Sequence, residues 1–277
     1  MATAPTVPVD ARTLEVPGAR LHYEVRGSGP LVVLVGAPMD AVAFAPLADL
    51  LAADHTVLTT DPRGINRSPV DDPDADSTPA MRADDLSRLI AHLDAGPAVV
   101  LGSSGGAVTA LALVEAHPEQ VRTVVAHEPP LDELLDDREQ VRARTEDLIA
   151  AYLAGDVLGA WRKFFGLAGI ELPDSVVEHM FGGERDPQAV ADERFWFAHE
   201  MLPSVTWQPD ISALGSAPTR VVVGIGKDSA GQSCDRTSRA LAAALGIEPT
   251  IFPGDHTGFA DDPGTFAVRL REVLREH

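Results

Sequence analysis

Two hydrophobic rhythms run through this chain. Residues 12–26 alternate apolar and polar positions in RTLEV and RLHYEVRG, around Pro17 and Gly18, and predict a β-hairpin. PLVVLVGAP (30–38) is instead a continuous apolar run, short and β-branched, bounded by Gly and Pro. That pattern predicts a strand buried on both faces. The same signature returns in HTVLTT, PAVVLGSS, VRTVVAH, TRVVVGIG and EPTIFPG. Helical periods separate these runs. AVAFAPLADLLAAD is the first, and Pro46 is expected to interrupt it. STPAMRADDLSRLIAHLDAG follows, with Ser77 or Thr78 near its N-cap, Pro79 in its first turn and Gly96 past its end. GGAVTALALVEAHP, DRTSRALAAALG and DPGTFAVRLREVLREH complete the set. A leading hairpin followed by alternating strands and helices predicts an α/β fold with a mostly parallel sheet, covered by helices on both faces.

Residues 131–212 break the alternation, because no strand-like run occurs there. DVLGAWRKFF sets Val157, Leu158, Trp161, Phe164 and Phe165 on one helical stripe, and ERFWFAHEML adds Phe195, Trp196 and Phe197. This stretch holds nine of the chain's 14 aromatic residues. It is therefore expected to be helical and to bury large apolar side chains, either as an extension of the core or as a lid over the sheet.

Composition narrows the function classes. The 277 residues suffice for one sizeable α/β domain, and 45% hydrophobic content supports a core. Acids outnumber bases 42 to 22, a formal net charge of −20, which repels phosphate backbones and anionic membranes. Neither nucleic acid nor membrane is an expected partner. The single cysteine, Cys234, excludes an internal disulfide and a cysteine-based zinc site, and reads as a bystander thiol. The opening MATAPTVPVDARTLEV has no basic or apolar leader pattern, so a cytoplasmic location is expected.

The chemistry starts at GSSGG (102–106), between a predicted strand and a predicted helix. It fits G-x-S-x-G with Ser104 at the centre. A tight strand-to-helix turn needs small neighbours two positions either side of its central residue. It presents that residue where backbone N–H groups and the helix dipole favour negative charge. A serine hydroxyl needs an adjacent base to become a nucleophile. Among nine histidines, His256 in FPGDHTGF stands directly after the last predicted strand, at the sheet edge where open parallel sheets build their sites.

With these residues the chain resembles the α/β-hydrolase superfamily, in its serine-nucleophile, esterase- or lactonase-like branch. The elbow at 102–106, the turn DPRG at 61–64, GDHTGF and the helical stretch before TRVVVGIG carry the resemblance. It implies a core of residues 1–130 and 213–277 with a helical cap, 131–212, inserted after the sixth strand. It also implies an oxyanion hole from the backbone N–H groups of Gly105 and Ala37; Val35 stands where the family often has histidine. For the triad acid the resemblance leaves two positions. Asp228, after the seventh strand, lies one residue before the usual site, and Glu128, at the end of the sixth strand, takes a place used by some relatives. Glu128 is preferred and Asp228 is the alternative. Asp61 and Arg63 read as turn-holding residues, and Asp40 as a pocket wall or a helix cap.

The expected activity is acyl transfer by Ser104 and His256 on a small or medium apolar ester, lactone or thioester, with Trp161, Phe165 and Trp196 lining the pocket. No metal or organic cofactor is implied, and the chain is expected as a monomer or homodimer. Perhydrolysis, carbon–carbon hydrolysis or lyase chemistry on the same residues are alternatives, as is a ligand-binding receptor with weak residual hydrolysis.

Overall fold

A computed structural model describes residues 7–275. The first six residues of the opening stretch read for a leader pattern, and the last two residues of the expected terminal helix, lie outside that range. The hairpin forms as expected: β1 (Val9–Val16) pairs antiparallel with β2 (Ala19–Gly27) around Gly18. β3 (Leu31–Val35), α1 (Ala41–Leu51), β4 (Thr56–Thr60), α2 (Pro79–Leu93), β5 (Ala98–Ser103), α3 (Gly105–Ala116) and β6 (Val121–His127) follow. A helical run comes next: α4 (Arg138–Leu153), α5 (Val157–Ala168), α6 (Asp174–Phe181), α7 (Pro187–Phe195), a π-helical turn at Trp196–Glu200, α8 (Met201–Val205) and α9 (Ile211–Ser216). The chain closes with β7 (Arg220–Gly226), α10 (Ser233–Leu245), β8 (Thr250–Phe252), the short α11 (Gly258–Asp261) and α12 (Pro263–Arg275).

The eight strands make one sheet in the order β1-β2-β4-β3-β5-β6-β7-β8. Every pairing from β4 to β8 is parallel. Period-two alternation sends successive residues to opposite layers. In β3, Leu31, Val33 and Val35 pack with α2, α3 and α10, whereas Val32 and Leu34 pack with α1 and α12 around Phe44 and Phe266. All five side chains are essentially inaccessible, each a burial worth about 1.5–3 kcal/mol. Pro46 does not break α1. The carbonyl it leaves without its helical donor is that of Val42, an exposed residue.

The helical run between β6 and β7 has its own apolar cluster, built on Leu148, Tyr152, Ala160, Phe197 and Met201. Tyr152 and Phe197 stack at 4.0 Å within it. Polar contacts anchor the run to the rest of the chain: Asn66 N–H donates to Asp192, Ser77 N–H to the His199 carbonyl, and Arg82 to Ser204 Oγ. The boundary expected at residue 212 falls inside α9, whose Leu214 packs in the sheet-side core.

Candidate active site

The register of the sheet gathers the candidate residues. Ser103 lies opposite His127, and His127 opposite Gly224, so β5, β6 and β7 end at one level. The residues that follow, Ser104 and Glu128, therefore emerge side by side at the carboxyl edge. His256 reaches the same edge from the loop after β8.

Ser104 turns the chain from β5 into α3 with φ 56° and ψ −129°, a left-handed conformation that costs energy for a side-chain-bearing residue. The glycines around it leave no room for anything larger. A Cβ on Gly102 would stand 2.3 Å from the Gly106 carbonyl oxygen, and one on Gly106 would stand 2.2 Å from that of Val35. The two serines separate cleanly. Ser103 is fully buried with its hydroxyl 3.3 Å from His127 Nδ1, whereas Ser104 faces an open cavity. No protein group among the described residues hydrogen-bonds the Ser104 hydroxyl. Gly105 N–H opens α3, where a helix leaves its first donors unsatisfied. Ala37 packs directly against it, its carbonyl oxygen 2.6 Å from where a Gly105 Cβ would be. Both residues line the cavity beside Ser104.

His256 Nδ1 lies 2.6 Å from Glu128 Oε2. Glu128 is fully buried and held from several sides. Its N–H donates to the Gly224 carbonyl, its Oε1 accepts from Gly226 N–H at 2.8 Å, and its backbone takes a positive φ of 52°. Asp228 does not pair with the imidazole. Its side chain is 62% exposed, lies 3.9 Å from Lys227 and forms no hydrogen bond or ion pair with His256. The cavity has a volume of about 320 Å³, within the range of small-molecule sites. Ser104 and His256 open into it beneath Phe164, Phe165 and Trp196.

This architecture has relatives. A family model described as alpha/beta hydrolase fold matches residues 29–163. An uncharacterized hydrolase of Bacillus subtilis (strain 168), YraK, is 33% identical over 279 residues, covering 95% of this chain and 96% of the relative. The chain belongs to the α/β-hydrolase superfamily. A zearalenone hydrolase of Bionectria ochroleuca is similar at 26% identity, over 96% of this chain and 98% of its own. The crystal structure of a hydrolase from Pseudomonas aeruginosa PA01 shares the fold, with a TM-score of 0.70 at 21% identity over 96% of this chain and 98% of that one.

The electrostatics of the hydrolase follow from burial and pairing. Burial, the largest single influence, works to raise the Glu128 pKa, but the hydrogen bond from His256, the electrostatic pull of His127 and His256 and a contact with Ser229 together hold the group below the usual carboxylate range. Burial likewise opposes a charged His256, yet Cys234 and Glu128 beside it push the imidazole up to about 10. His127, buried between Phe252 and Phe266, is driven down to about 4 and stays neutral. Asp61 and Arg63 hold the turn after β4. Asp61 accepts from Ala41 N–H and from Arg67, and Arg63 forms a two-pronged ion pair with Asp85. Asp40 caps α1 and accepts from Asn66, and no wall of the cavity belongs to it.

Two sequence readings need correction. Trp161 is not a cavity residue. It stacks on Phe181 at 3.9 Å and donates Nε1–H to Glu193, inside the helical run. Its stripe neighbours Phe164 and Phe165 take the cavity side. Cys234 is not a bystander: it sits in the first turn of α10, lines the cavity and adjoins His256. Donor atoms of Glu128, Cys234 and His256 lie within 4.8 Å of one another. The carboxylate and imidazole there already share a proton, so the group reads as a hydrogen-bonded array. Asp132 and Thr145 also line the cavity and were not singled out in the sequence, although Asp132 follows Glu128 by four residues on the same edge loop. Among the described residues, no helix is long and apolar enough to cross a membrane.

Proposed function

We propose that this hydrolase is a serine hydrolase of carboxylic esters, lactones or thioesters, working through an acyl-enzyme. The observation that carries the reading is the Glu128–His256 pair opening into the same cavity as Ser104 on its strained turn. In this reading Ser104 Oγ attacks the substrate carbonyl carbon while its proton passes to His256 Nε2. The Nδ1–H of His256 stays donated to Glu128, which fixes the tautomer and stabilises the imidazolium. The carbonyl oxygen becomes an oxyanion held by the N–H groups of Gly105 and Ala37. His256 then returns the proton to the departing alkoxide or thiolate, leaving Ser104 acylated. Water repeats the sequence, protonates His256, releases the acid and restores the serine. The missing Ser104–His256 contact is one that such sites complete when substrate binds. Residues 131–212 act as the lid, with Phe165 and Trp196 as its apolar contacts. A relative named zearalenone hydrolase is consistent with hydrolysis as the overall reaction.

Intact mass after exposure to a fluorophosphonate tests the proposal. A single adduct is expected on the native protein and on Asp228→Asn, none on Ser104→Ala, and slow labelling on Glu128→Gln. A native protein that binds small apolar ligands yet takes no adduct would refute it.

A further inference from the structure

The cavity wall is apolar over most of its extent, with Leu148, Phe164, Ile170 and Met201 contributing to it. Asp132 and Thr145 interrupt that wall. Asp132 is 6% exposed, lines the cavity, and forms no side-chain hydrogen bond among the described residues. Thr145 is 2% exposed, and its Oγ1 has no partner among the described residues. Buried polar groups in native proteins are nearly always hydrogen-bonded, and leaving one unpaired is costly. Thr145 Oγ1 is such a group, and the Asp132 carboxyl faces the same cavity, where a ligand can supply a partner to both.

We infer that Asp132, with Thr145, forms a hydrogen-bonding subsite for a hydroxyl group that the substrate carries away from its scissile carbonyl. This deepens the serine-hydrolase reading and rests on it. A hydroxyl is the group that both donates to a carboxyl oxygen and accepts from a threonine hydroxyl. A substrate ammonium fits less well, because it only donates hydrogen bonds and so leaves the Thr145 hydroxyl proton without an acceptor. Burial first, then Glu133 and Asp137, push Asp132 up to about 7 against the pull of Arg236, so this carboxyl resists the full charge a cation would need. The substrate class is thereby narrowed from apolar esters to hydroxylated esters or lactones, apolar along most of their length.

The test pairs p-nitrophenyl esters of straight-chain acids with their terminally hydroxylated counterparts over a series of chain lengths. In the native enzyme the hydroxylated member of at least one pair should lead by about tenfold or more in kcat/KM, chiefly through KM. Asp132→Leu should bring that ratio to about one or below, Thr145→Val should reduce it, and Asp132→Asn, which keeps hydrogen-bonding atoms, should retain most of it. Calorimetry on Ser104→Ala with the matching alcohols and diols separates this subsite from the catalytic reading. If serine catalysis is wrong, no ester turns over by way of Ser104, yet the diol still binds more tightly and loses that advantage with Asp132→Leu. Plain esters preferred at every length, a preference for amino-terminated esters, or a hydroxyl preference that survives both Asp132→Leu and Thr145→Val would overturn the inference.

Discussion

Glu128→Gln is the sharpest perturbation the structure offers, because the two oxygens of this carboxylate have opposite duties. Oε1 accepts from Gly226 N–H at 2.8 Å and Oε2 faces His256 Nδ1 at 2.6 Å. Both partners are donors in the working state. An amide has one acceptor and one donor end, so it can satisfy only one of them. If its oxygen keeps Gly226, its NH₂ meets Nδ1 and forces the imidazole proton onto Nε2, where His256 cannot take a proton from Ser104. If it turns over, NH₂ confronts the Gly226 N–H in a fully buried site, and two donors go unpaired at about 1–3 kcal/mol each. The turned-over form is thus a minor species, and even it lacks the negative charge that stabilises the imidazolium. The two effects together predict a fall in kcat of roughly 10³–10⁴, equivalent to about 4–5 kcal/mol in the barrier. Single-turnover hydrolysis of an activated ester measures it, with circular dichroism to show that the variant is folded. A folded Glu128→Gln enzyme within about tenfold of native, beside an inactive Asp228→Asn, would refute the reasoning and move the acid to Asp228.

Three further outcomes follow from other parts of the molecule. Cys234 is among the groups that raise the His256 pKa, so Cys234→Ala should move the acid limb of the kcat/KM–pH profile to lower pH and increase activity at neutral pH; a limb that stays in place would show that the thiol does not act on the imidazole. Glu200 is buried, its carboxyl oxygens lack hydrogen-bond partners among the described residues, and burial pushes it up to about 7 despite Arg82 at 4.0 Å. Its folded-state pKa lies above the unfolded one, so the native state holds the extra proton, and stability should fall by up to about 3 kcal/mol as pH rises from about 4.5 to about 7. Glu200→Gln should flatten that decline in urea melts across this range, and superimposable profiles would argue against it. Finally, Gly106→Ala places a Cβ against the Val35 carbonyl oxygen and should cost several kcal/mol or abolish folding, whereas Gly166→Ala in α5 meets nothing within 4 Å and should stabilise by about 0.5–1 kcal/mol, both read from thermal melts.

The features legible in the sequence are those set by short-range periodicity or by steric demands of a few residues. The alternation of β1 and β2, the apolar runs of β3 to β7 and the glycines around Ser104 are of this kind, because each constraint acts within a turn or a strand. Pro46 misled in a specific way: it removes one hydrogen bond inside α1, yet the helix continues through it with Phe44, Leu47, Ala48 and Leu51 buried in the core. Trp161 misled differently. An apolar stripe shows that a helix face is covered, but Phe181 and Trp196 on later helices decide what covers it.

Two of the residues the sequence hid, Asp132 and Cys234, share an origin with His256. All three stand on loops or helix starts that follow β6, β7 and β8, far apart in the chain, and parallel pairing brings the three strand ends to one edge. His256 was visible because a base was being sought for Ser104. Cys234 and Asp132 answered no such demand, and as isolated residue types each had an adequate ordinary explanation. Topology could still have flagged them: once β6, β7 and β8 are read as parallel neighbours, every polar residue within a few positions of their carboxyl ends becomes a candidate wall of one cavity. Extended over the eight residues after β7, that rule gathers Glu128, Asp132, Asp228, Cys234, Asp255 and His256 among others. Burial then divides them. Glu128 and Asp132 are enclosed, whereas the Asp228 carboxylate points to solvent. A buried acid that faces a histidine and a buried acid that faces open space make different demands on the molecule. The first is met within the chain by His256. The second is open to what enters the cavity, which makes Asp132, on the inference drawn above, the place to test for specificity beside the aromatic wall of Phe164, Phe165 and Trp196.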